Sequence, residues 1–106
     1  MAFNLKQNDT FPSMEAVLLD GNGFPVDLTR ASVRFHMRNA AGAVVIDEAA
    51  IVTDEVAATV AYYWTAADTQ TVGNFSAEFE VTYQDGNIET FPNASYIEII
   101  ITDDIA

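Results

Sequence analysis

A chain of 106 residues can bury one hydrophobic core and is too short for two, so residues 1–106 are expected to form a single domain. Half of the residues are hydrophobic and 19% are charged, which argues against disorder, and no apolar run approaches the length of a membrane-spanning helix. Sixteen acids against four lysines and arginines give a net charge of −12, a poor match to nucleic-acid phosphates or anionic membranes, and the lack of cysteine excludes disulfides, thiol catalysis and cysteine-held zinc.

The opening "MAFNLKQNDTFP" has neither the basic region nor the apolar stretch of a signal peptide, so export through the secretory pathway is not expected. Beyond it, apolar and polar residues alternate at a period of two almost throughout, and no helical stripe persists for more than a few turns. The pattern predicts an all-β domain with strands over Phe3–Leu5, Ser13–Leu19, Ser32–Arg38, Ala43–Ile46, Ala49–Thr53, Ala57–Trp64, Asn74–Tyr83, Ile88–Phe91 and Tyr96–Thr102. Their spacing is that of an antiparallel β-sandwich of about seven to nine strands.

Turn signals separate the strands: "DGNGFP" at Asp20–Pro25, "NAAG" at Asn39–Gly42, "QDGN" at Gln84–Asn87 and "PN" at Pro92–Asn93. Asp85-Gly86 is the strongest, because a type I′ turn needs positive φ at its central residues, and it predicts a hairpin between Asn74–Tyr83 and Ile88–Phe91. "TAADTQT" at Thr65–Thr71 is the one stretch that could form a single helical turn, with Thr65 as its cap and Asp68 three residues on.

Strand Asn74–Tyr83 is expected to turn Phe75, Ala77, Phe79, Val81 and Tyr83 toward the core and Glu78 and Glu80 outward. Strand Ser32–Arg38 repeats the pattern with opposite charge, Val33, Phe35 and Met37 inward and Arg34, His36 and Arg38 outward. Adjacent placement would set the basic face against the acidic one and help to fix register.

No cluster demands a reaction. Glu78 and Glu80 stand about 7 Å apart on one strand face, a spacing compatible with paired glycosidase carboxylates, yet an open strand gives neither a reason to hold a proton. His36 is the sole histidine and has no second histidine or cysteine to complete a site. "DGNGFPVD" resembles a calcium loop only superficially: Phe24 occupies the fifth position, where an oxygen ligand is needed, and no glutamate falls at the twelfth. Neither catalytic residues nor a metal or other cofactor are therefore assigned.

The residues Asp68 to Ala77 resemble the corner through which immunoglobulin-like sandwiches enter their sixth strand, with Gly73-x-Phe75-x-Ala77 in place of Gly-x-Tyr-x-Cys. Phe75 lacks the tyrosine hydroxyl, and Trp64 precedes the corner instead of lying on the third strand. "FNLKQNDTFPSMEAVLLDGNGFPVDLTRASVRFHMR", Phe3–Arg38, is similar to the N-terminal immunoglobulin-like module of bacteriophage baseplate upper proteins and related tail and fibre proteins. "DTQTVGNFSAEFEVTYQDGNIETFPN", Asp68–Asn93, continues the likeness. Arg30 stands where the family usually has glycine. In that family the module precedes further domains; here the chain ends at Ala106, and a stand-alone module is expected.

The resemblance implies a non-enzymatic structural protein of a tailed phage virion, made in the host cytoplasm, that assembles with other virion proteins and with copies of itself. Capsid decoration and carbohydrate-binding host attachment are the alternatives. The sequence also carries apolar residues on both faces of "VAYYW" and "YIEIIIT", which makes Tyr63, Tyr96 and Ile100 the interface candidates. Asp68, Gly73, Phe75, Asp85 and Gly86 are expected to serve the architecture.

Overall fold

The computed structural model describes residues 2–105, which hold nine strands and no helix. They are β1 (Ala2–Lys6), β2 (Met14–Val17), β3 (Ser32–Asn39), β4 (Val44–Ala49), β5 (Ile51–Asp54), β6 (Thr59–Tyr62), β7 (Gly73–Thr82), β8 (Ile88–Phe91) and β9 (Ile97–Thr102). All nine expected strands form, with ends that move by at most three residues. Two sheets face each other: a large one in the order β1-β9-β7-β3-β4, with β8 beside the last part of β7, and a small one in the order β2-β6-β5. The result is an all-β, immunoglobulin-like sandwich.

The alternation in β3 and β7 produces the centre of the large sheet. They pair antiparallel with Val33 opposite Val81, Phe35 opposite Phe79 and Met37 opposite Ala77, and all six side chains are buried. From the small sheet, Tyr62 stacks on Phe35 with ring centroids 4.5 Å apart, and Trp64 meets both rings edge-on at 5.4 and 5.6 Å. Such packed aromatic contacts add to area burial and lock the two layers together. Ile99 and Ile101 of β9 close the same core, while Tyr83 lies at its margin, partly buried, with its hydroxyl donating to Glu89 at 2.8 Å.

Three connections share one geometry. In each, an N–H and a C=O bridge residues four apart and a glycine follows two turn residues: Asp20 N–H to Phe24 O with Gly23 at φ 84°, Asn39 N–H to Ala43 O with Gly42 at φ 91°, and Tyr83 N–H to Asn87 O with Gly86 at φ 90°. Each is a three-residue loop ending in a left-handed glycine. The type I′ turn expected at Asp85-Gly86 is therefore corrected: Asp85 keeps negative φ, Gly86 alone is left-handed, and the hairpin itself forms.

Asp20 and Asn39 reinforce the first two loops, their Oδ1 atoms accepting backbone N–H groups two and four residues on. Asp20 thus works inside its own turn, and Phe24 is exposed. Thr65–Thr71 makes turns and no helix. The capping exchange foreseen there is nevertheless present, since the Asp68 carboxylate accepts the Thr65 N–H at 2.9 Å and the Thr65 hydroxyl accepts the Asp68 N–H at 3.3 Å.

Candidate docking surfaces

The outer face of the large sheet is built by residues that alternate with the buried ones. Arg34 Nε donates to Asp47 Oδ1 at 2.8 Å, and its terminal nitrogen reaches the Asp47 backbone oxygen at 2.7 Å. His36 lies between two carboxylates, Nε2 at 3.2 Å from Asp47 and Nδ1 at 3.4 Å from Glu78. The Arg38 guanidinium sits 4.6 Å over the Tyr96 ring. Register sets Arg34 opposite Glu80, but the arginine turns to the other neighbouring strand because Asp47 offers a fixed, short contact there. The hydrogen bond from Arg34 holds the Asp47 carboxyl below the usual carboxylate range, and the same bond raises the guanidinium.

A shallow depression of about 360 Å³ lies among His36, Arg38, Val44, Ser76, Glu78 and Tyr96. Its charged groups are already engaged with one another. Among the described residues no group of three or more histidines and acids could hold a metal ion. The chemistry available is contact: a planar aromatic, a guanidinium and carboxylates arranged on a rigid sheet.

The three interface candidates are not gathered on one surface. Tyr96 and Ile100 share the outer face of the large sheet, the first 54% exposed and the second half-buried. Tyr63, 55% exposed, follows β6 on the small sheet. The candidates for architecture lie in the corner before β7, at its start and in the β7–β8 loop. Gly73 opens β7 at φ 147° and Phe75 enters the core. Asp68 accepts a hydrogen bond from the Tyr62 hydroxyl at 2.6 Å, so a tyrosine from β6 supplies the polar handle that Phe75 lacks. Burial, and then the adjacent Asp68 carboxylate, push the Tyr62 phenol well above the ordinary tyrosine value.

Comparison with known proteins decides the family: the model of the BppU N-terminal domain matches residues 5–103. The chain belongs to that family, the N-terminal domain of phage baseplate upper proteins. Among solved structures, the N-terminal domain of phage TP901-1 ORF48 is similar at 19% identity and a TM-score of 0.66, over 96% of this chain and 85% of that one. CopC from Methylosinus trichosporium OB3b is similar at 13% identity and a TM-score of 0.59, over 99% and 87% of the two chains. At these identities the likeness is one of fold. No curated protein matches.

For a BppU N-terminal domain, a structural role in a phage and a place in the virion follow from the family. Arg30, where the resemblance led us to expect glycine, adopts φ 57°, the left-handed conformation that glycine takes without strain. One surface of this BppU N-terminal domain escaped the sequence reading. Val17 and Leu19 of "AVLL" are exposed beside a strand edge that no other strand pairs among the described residues, although the signal, apolar residues on both faces of one strand, is the same one that singled out Tyr63 and Tyr96.

Proposed function

We propose that the chain is a non-enzymatic module of a phage tail or baseplate that acts by binding other virion proteins, including copies of itself within the assembly. The observation that carries this reading is the family match, unbroken from residue 5 to residue 103. Geometry supports it. Tyr63 on the small sheet and Tyr96 with Ile100 on the large one lie on opposite layers of the sandwich, so one domain could contact two neighbours at once. Weak contacts of that kind become strong when symmetry repeats them.

The test is assembly of particles in which Tyr63→Glu, Tyr96→Glu or Ile100→Ser replaces the native chain, with the protein located by labelled electron microscopy. The native chain should be found at the tail, and the variants should be incorporated several-fold less while remaining folded in solution. Label on the capsid shell would favour decoration instead. Undiminished incorporation of all three variants would remove these residues from the docking surface.

A further inference from the structure

Strand β2 pairs with β6 along one edge, and among the described residues no strand pairs with the other. Immunoglobulin-like sandwiches of the constant type carry four strands in this sheet, with the first strand of the chain beside the second. Here the N-terminal strand β1 instead runs parallel to β9 in the large sheet, from Ala2 beside Glu98 to Lys6 beside Thr102. The fourth place in the small sheet is open.

The backbone at that place is oriented for use. Leu18 donates its N–H to Ala58 O at 2.9 Å, across to the β6 side. Alternation then directs the N–H and C=O groups of Glu15 and Val17 away from β6 and along the open edge. A row of unpaired backbone groups is a template for strand addition.

The floor beneath the edge is apolar. A groove of about 310 Å³ runs between β2, with Val17 and Leu19, and the large sheet, with Phe79, Phe91 and Ile97. Val17 and Leu19 are 53% and 43% exposed. The groove continues into an acidic cleft: Leu19 bridges to Pro25, which lines the cleft, and β8 contributes Phe91 to the one and Ile88 and Glu89 to the other. That cleft, about 1060 Å³, carries Asp20, Asp27, Asp85 and Glu89, and neither lining contains a lysine or arginine. Asp20 and Asp27 use Oδ1 in their own turns, which leaves Oδ2 for a partner.

We propose that the groove between β2 and β8 binds an extended, lysine- or arginine-bearing segment of another protein, added as a fourth strand beside β2. One alternate set of the segment's side chains rests on Phe91 and Ile97, the other flanks Val17 and Leu19, and its cations lie over Asp20, Asp27, Asp85 and Glu89. Charge selects the occupant: a second copy would bring a further −12 and set Glu15 and Asp20 of both copies against this edge. The inference does not need the virion reading, because the edge, floor and charge belong to the isolated domain.

The probe is a ten-residue peptide that alternates valine and threonine and ends in three lysines, added to the isotope-labelled chain and followed by NMR. Two controls accompany it: the same peptide ending in three glutamates, and a glycine-serine peptide ending in three lysines. The first should bind at least tenfold more tightly than either control, shift the amides of Glu15, Val17, Leu19 and Phe91, and slow hydrogen exchange at Val17. Val17→Pro removes the outward N–H at an edge position that can hold proline and should weaken binding tenfold or more. Leu19→Ser, which keeps the backbone donor and removes the apolar contact without adding charge, should do the same and serves if the proline variant does not fold. Absence of binding at millimolar peptide, equal binding of the glycine-serine control, shifts confined to β1, β4 or β5, or self-association through Val17 would each overturn the proposal. Label on the capsid shell, or undiminished incorporation of the Tyr63, Tyr96 and Ile100 variants, would leave this result unchanged, so the two readings fail separately.

Discussion

On the outer face of the large sheet, Arg34 holds Asp47, His36 lies between Asp47 and Glu78, and Arg38 covers Tyr96. Along the edge of β2, the backbone groups of Glu15 and Val17 point outward, and Val17 and Leu19 stand over an apolar floor. The first surface satisfies its polar groups locally, in water, and offers a partner mainly the exposed Tyr96 and the half-buried Ile100. The second leaves hydrogen-bonding capacity and apolar area exposed together, a combination that a partner strand relieves at one stroke. Exposure of aromatic side chains alone is therefore a weaker guide to docking than an unpaired edge above a groove.

The strongest way to break the comparison is through the core that both surfaces share. Phe79 is fully buried, packs on Phe35 at 5.2 Å and forms part of the groove floor. Phe79→Ala should cost about 3–5 kcal/mol, read as a fall in the denaturant midpoint. It should loosen the groove while the Arg34–Asp47 pair survives in whatever remains folded. Retention of native stability would mean that the floor is supported elsewhere.

Next in size is the bond between layers and corner. Tyr62→Phe removes the hydroxyl that donates to Asp68 and should cost about 1.5–3 kcal/mol, as for a hydrogen bond to a charged group. The phenols of Tyr62 and Tyr83 are raised above their ordinary value, chiefly by burial and then by Asp68 and Glu89. Their contribution is fully present below the unfolded-state value of about 10 and is lost as pH rises from there through the folded-state values. An absorbance titration of the folded chain should find these two tyrosines protonated when the pH passes 10, with stability falling as alkalinity increases. Ionisation of all four at the ordinary pH would contradict the buried placement.

How much of this could be read beforehand divides along the same line. Strict alternation in Val33–Met37 and Phe75–Val81 specified two central strands and their inward faces, because a one-residue slip would expose every one of those side chains. Asp85-Gly86 marked a hairpin but not its turn type, since one left-handed glycine serves a three-residue loop as well as a two-residue one. Opposite charges on the outward faces of Ser32–Arg38 and Asn74–Tyr83 pointed to one pairing between distant strands, which forms, but the others left no local trace. Nothing in "MEAVLLD" states that β1 will join β9 and leave one edge of β2 open among the described residues. Nor does Arg34 announce a choice of Asp47 on one adjoining strand over Glu80 on the other. Tyr62 and Asp68 lie only six residues apart, yet their bond depends on how the corner folds back.

A smaller effect should come from Arg30, which holds a left-handed conformation at φ 57° while its N–H donates to Glu55 at 3.2 Å. Arg30→Gly removes the Cβ strain and keeps the donor, at the cost of greater freedom in the unfolded chain. The balance should stabilise the domain by about 0.5–1 kcal/mol, the scale of left-handed strain less the entropic cost of glycine. A lowered melting temperature would show that the arginine side chain contributes more than the backbone strain removes.

The smallest effect belongs to the charged face itself. Arg34 and Asp47 are both well exposed, so their attraction is screened and their pairing restricts two side chains. Arg34→Gln should leave the denaturation midpoint at neutral pH within measurement error. The signature lies in acid. With Arg34 present the Asp47 carboxyl is held low; with glutamine its titration, followed by NMR, should move up toward the ordinary value. A depressed carboxylate contributes above its unfolded value and loses that contribution as pH falls through the folded one. Any gap between native and variant stability should accordingly close as the pH is lowered below about 4. A gap that is large at neutral pH and persists in acid would mean that Arg34 acts by packing its stem on the sheet, and this face would then be as much a part of the fold's support as the core beneath it.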